Sequence, residues 1–157
     1  MEKDILHRSA YNGSKGFIQQ DVPTANATGF GAAADDFMER GIDLNEQLIM
    51  NKPATFFFRM NSDAMEQSGI HSGDVLIVDR SIKATNGKII VAAMNGELMV
   101  RCYQQGFNKA FLCADNKRYR DIELNEFSEF AAWGVVTCTI HIIDNSLIAF
   151  NNKNKRS

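Results

Sequence analysis

The sequence has little of what a disulfide scaffold, a membrane span or a nucleic-acid grip requires. Its three cysteines, Cys102, Cys113 and Cys138, are odd in number, distant along the chain and without C-x-x-C spacing. That argues against a disulfide framework or a cysteine-rich zinc centre, and they read as reduced, mostly buried thiols. No apolar run approaches the ~20 residues that a membrane helix needs. The opening MEKDILHRSAYNGSKG lacks the apolar stretch of a secretory leader, so cytoplasmic residence is the expectation. A basic surplus is missing as well: 17 Lys and Arg stand against 19 Asp and Glu, for a net charge of -2. Proteins that grip phosphates usually carry a basic face, so direct nucleic-acid binding is not expected.

What is present suits one soluble domain and a tail: 157 residues, 45% hydrophobic and 23% charged, enough to bury a core. Residues 1–28 are polar and aperiodic, with Gly13, Gly16 and Pro23, and read as a flexible arm. This segment cannot supply the three helices of a helix-turn-helix domain. Ala32 to Met50 is the helical candidate, broken near Gly41 into two short helices, with Asp43 or Asn45 near the second N-cap. Pro53 ends it.

Beyond Pro53 the pattern turns to strands. Ala54–Met60 is a dense aromatic run and Val75–Asp79 a second apolar one. Lys88–Met94 and Glu97–Tyr103 flank Asn95-Gly96, the strongest short hairpin signal, because both residues tolerate positive φ. Ala110–Cys113 is a short strand and Ala131–Ile143 a long one, with a bend or bulge expected at Gly134. These elements predict a compact, mostly antiparallel β body over residues 29–145. Residues 146–157 read as a polar tail.

The informative stretch is Asn61-Ser62-Asp63-Ala64-Met65, then a loop, then Gly73-Asp74 and the apolar strand ending in Asp79. It resembles the signature of the LexA/UmuD self-cleaving serine peptidases, a Ser-Met pair followed by Gly-Asp. Asn95-Gly96-Glu97-Leu98-Met99-Val100-Arg101 resembles the hairpin whose second strand carries that family's lysine. Thr28-Gly29-Phe30 sits where the family has its cleavable bond. Ile42-Asp43-Leu44-Asn45 and Trp133-Gly134-Val135-Val136 fit the UmuD branch. The shared order and spacing of these motifs, over about residues 28–143, carry the resemblance.

The resemblance implies a curved antiparallel fold of the LexA/UmuD C-terminal type, a homodimer and a serine–lysine pair. It places the nucleophile at Ala64, the general base at Arg101, the cleaved bond at Thr28–Gly29 and an oxyanion donor at the Ala64 backbone N–H. Neither dyad position holds the needed group. Alanine has no oxygen with which to attack, and arginine stays charged at any working pH, so it is a poor base. The chain is therefore expected to be a peptidase fold that does not cut itself.

Ser62, Ser68, Ser72 and Lys88 are not placed to substitute for the missing pair. His71, in a loop, and His141, in a late strand, read as structural. No metal and no cofactor is expected. The resemblance further implies a UmuD-like SOS-response protein that partners a Y-family translesion polymerase, meets the RecA filament and can engage the sliding clamp. Two alternatives remain: a RecA-stimulated self-cleaving peptidase in an inactivated version, and a LexA-like regulator acting through a partner.

Overall fold

A computed structural model describes the backbone of residues 5–10 and the whole of residues 41–147. The strands are β1 (Ile5–Ala10), β2 (Thr55–Met60), β3 (Val75–Asp79), β4 (Ile89–Met94), β5 (Glu97–Gln105), β6 (Ala110–Cys113), β7 (Ile122–Leu124) and β8 (Phe130–Ile140). They form one sheet in the order β1-β2-β3-β8-β4-β5-β6-β7, with every pairing antiparallel. The long β8 thus lies in the middle, between β3 and β4.

The β5 turn is as the Asn-Gly pair predicts: Asn95 and Gly96 have φ of 49° and 79°, and β4 and β5 pair from Ile89↔Cys102 to Met94↔Glu97. The bulge expected at Gly134 is present beside it. The β4–β8 register shifts between Val91 and Ala92, where the partner residue passes from Gly134 to Ala132. Gly134 is needed for close approach, since a Cβ there would sit 2.7 Å from Val78 Cγ1.

Two strands, β1 and β7, are not legible in the sequence. β7 has only three residues, too few for a period. β1 falls within the stretch read as an arm, and pairs with β2 from Ile5↔Met60 to Ala10↔Phe56. Residues 11–40 lie outside the described residues, and with them the first half of the helical candidate. Its second half is α1 (Leu44–Leu48), and Asp43 is its N-cap, its carboxylate accepting from the Asn45 N–H at 2.9 Å. The helix ends at Ile49, before a short 3-10 turn over Lys52–Ala54.

Alternation along the strands splits the core across the sheet. Val91 and Val100 join Phe58, Met60, Leu76 and Val78 on one face. Ile90, Ala92 and Met99 join Leu112 and Val135 on the other. A central strand with both faces covered reads as a continuous apolar run, which is why Ile89–Met94 shows no polar alternation. Trp133 seals one side: Phe56 and Phe58 meet its ring edge-on, each at 5.0 Å between centroids, and Arg80 lies over it at 4.4 Å. Each such aromatic pair adds about 0.5–1.5 kcal/mol beyond area burial.

The cysteines depart from expectation in one respect. All three are free but half-buried rather than buried, and the β5–β6 register sets Cys102 directly opposite Cys113. Burial, aided by the Asp121 carboxylate, pushes the Cys113 thiol up from its ordinary value.

Candidate functional site

The β2–β3 connection, residues 61–74, carries the position at which the nucleophile is expected. The chain leaves β2 at Met60, passes Ala64 and Met65, makes a 3-10 turn over Glu66–Ser68 and reverses at Gly69, whose φ is +82°. Ala64 and Met65 are completely buried, in the same cluster as Phe58, Leu76 and Val100. The Ala64 carbonyl accepts from the Asp115 N–H at 2.8 Å. Its own N–H, the expected oxyanion donor, faces the Ser62 hydroxyl at 3.4 Å, long for a hydrogen bond. Ser62 is buried and makes the local contact that its position suggested.

Arg101, the expected base position, is also buried, at 6% exposure. Strand β5 sets it opposite Ile90. Its guanidinium donates to the Val100 carbonyl at 2.8 Å and lies 5.3 Å from the Tyr119 ring centre. Tyr119 links the two positions at which the dyad is expected. Its hydroxyl donates to Asp63 at 2.8 Å, beside Ala64, and its ring packs on the cluster that holds Ala64. Asp63 is further held by Arg118, while its carbonyl accepts from the Asn116 side chain at 3.0 Å. Nothing in the sequence pattern marked the 115–119 loop. Thr28 and Gly29 lie outside the described residues.

A second polar group forms where the same connection ends. Asp74 precedes β3 and His141 follows β8, and the pairing Val75↔Ile140 brings them to one end of the sheet. His71 reaches the same place from the loop. Asp74 is 1% exposed as a side chain, while His71 and His141 are about half exposed, at 45% and 53%. Asp74 Oδ1 lies 2.5 Å from His141 Nδ1. Oδ2 accepts from the His71 backbone N–H at 2.8 Å and from the Thr139 hydroxyl at 3.1 Å. Burial alone would raise the Asp74 carboxyl, but the His71 N–H, the His141 ring and the Thr139 hydroxyl outweigh it and hold the group below its ordinary value. The two imidazole rings are 4.9 Å apart.

Residues 22–137 match the family described as Peptidase S24-like. The chain belongs to that family, the LexA/UmuD group. Among similar proteins of the family, ImpA of Salmonella typhimurium is 35% identical over 98 residues, 62% of this chain and 68% of ImpA. SamA of Salmonella typhimurium is 38% identical over 113 residues, 72% of this chain and 78% of SamA. The LexA repressor of Shewanella piezotolerans is 38% identical over 72 residues, 46% of this chain and 35% of the repressor. These relatives support a UmuD-like, mutagenesis-related role for this S24 chain. No helix among its described residues is long and apolar enough to cross a membrane.

Proposed function

We infer that this protein is a UmuD-like partner of a Y-family translesion polymerase in the SOS response, a cytoplasmic homodimer that acts by binding and not by cutting itself. One observation carries the reading. The position expected to hold the nucleophile is a fully buried methyl group in a member of a peptidase family. A carbon with no lone pair cannot attack a peptide carbonyl. Arg101 adds to this, because a guanidinium stays protonated where a buried lysine could release its proton. What the fold retains is surface and shape, which serve binding to a UmuC-type polymerase, to the RecA filament and to the sliding clamp.

The test combines association with integrity. The full chain should sediment as a dimer at micromolar concentration and co-elute with a UmuC-type polymerase. Incubation with RecA filaments should leave its mass unchanged. A monomer without affinity for the polymerase would sink the binding reading. Release of a fragment beginning at Gly29, with other proteases absent, would show a nucleophile other than residue 64.

A second reading is an inactivated form of a self-cleaving peptidase that cuts at Thr28–Gly29. The observation in its favour is that β5 still delivers a buried cation at position 101, on the ring of the tyrosine that holds Asp63.

A further inference from the structure

We propose that His71, Asp74 and His141 form a binding site for a divalent transition-metal cation of the Zn2+ class. The sequence by itself leads one to expect no metal, and both histidines read as structural in it. One donor atom from each of the three residues lies within 4.8 Å of the others, although Asp74 and His141 are 67 positions apart in the chain. The donor set of two imidazoles and a carboxylate is one that Zn2+ takes, leaving a fourth position open.

Three features make this more than a chance meeting of polar groups. His71 Nδ1 is buried, and no hydrogen-bond partner is found for it among the described residues. It faces Asp74 Oδ2 at 3.6 Å, too far for a hydrogen bond. Donors about 2.0–2.1 Å from a tetrahedral Zn2+ lie about 3.3–3.4 Å from one another, so that separation suits two ligands of one ion. The carboxylate is oriented by the Thr139 hydroxyl and the His71 backbone N–H, which is how supporting residues orient a metal ligand.

His141 requires the one adjustment. Its Nδ1 is held against Asp74 Oδ1 at 2.5 Å, so that contact would give way and the ring turn to admit the ion. The ring is half exposed and follows the last residue of β8, where such a movement meets little packing. The same exposure leaves room for water at the open position. The bound ion would tie the loop that begins at Ala64 to the end of the central strand.

The test uses the full-length, untagged chain and Zn2+ or Co2+ alone. Titration should load a single ion per chain and shift the imidazole nitrogen resonances of His71 and His141, leaving those of His7 in place. Co2+ should give a nitrogen- and oxygen-ligated visible spectrum. His71→Ala and His141→Ala, both at half-exposed positions and so expected to fold, should each weaken binding by at least about 10-fold, while His7→Ala leaves it unchanged. Unmoved His71 and His141 resonances at saturating Zn2+ would overturn the site. So would a thiolate-to-Co2+ absorption band, or affinity undiminished in the His71→Ala and His141→Ala chains.

Discussion

The β2–β3 connection holds two regions seven residues apart in sequence and opposite in character. Around Ala64 everything is packed: the residue is fully buried within the core cluster, and its backbone is tied to Asp115. Around His71 and Asp74 the packing opens, and charge and hydrogen bonds hold the geometry. The first region has burial without a reactive group. The second has ligand chemistry with access to solvent. A packed position is defined chiefly by the volume it fills. A carboxylate buried among imidazoles is defined by its partners, and each one lost is felt directly.

The largest effect expected comes from restoring chemistry to the packed region. Ala64→Ser with Arg101→Lys should recover cutting between Thr28 and Gly29. Its rate should exceed that of either single variant by at least about 100-fold, the contribution of a positioned base, because the two groups act as one unit. Mass spectrometry of the fragments reads the outcome directly. An uncut double revertant would mean that the loss extends beyond two side chains, and would favour the binding protein over the inactivated peptidase.

Stability should separate the two regions next. Ala64→Leu overfills a completely buried position and should cost about 1–3 kcal/mol. His71→Ala keeps the backbone N–H that Asp74 accepts and removes a half-exposed ring whose Nδ1 is 3.6 Å from the carboxylate, so it should change stability by no more than about 0.5 kcal/mol in metal-free buffer. Urea unfolding of both variants would break the comparison if the order were reversed. Between these lies Asp63→Ala, which removes the acceptor of the Tyr119 hydroxyl and the partner of Arg118. A loss of about 1–2 kcal/mol is expected, and Tyr119→Phe should reproduce roughly half of it.

The smallest effect concerns a single thiol. Since burial and the Asp121 carboxylate raise the Cys113 thiol, its thiolate fraction near pH 8 is below that of an exposed cysteine, and alkylation should be correspondingly slow. Asp121→Asn removes the charge and leaves the burial, so it should speed labelling only in part. A rate equal to that of an exposed thiol would show that burial contributes nothing at this site.

Most of the β body was legible because local chemistry and global fold agree in it. Val75–Asp79 and Ala110–Cys113 run as their apolar patterns mark them, Asn95-Gly96 turns as its backbone freedom requires, and Asp43 caps α1. The residues at positions 64 and 101 also need no coordinates: alanine offers no nucleophile and arginine a poor base, where the family resemblance leads one to expect both. What the sequence could not decide is which distant residues meet. Strand order, with β8 between β3 and β4, brings His141 to Asp74. The β5–β6 register sets Cys102 against Cys113, and the fold carries Tyr119 from an unmarked loop to Asp63. Periodicity and turn chemistry act over a few residues, whereas these pairings are made by hydrogen-bonded strands far apart in the chain. Only the assembled sheet selects them, because it is there that long-range contacts repay the loss of chain entropy.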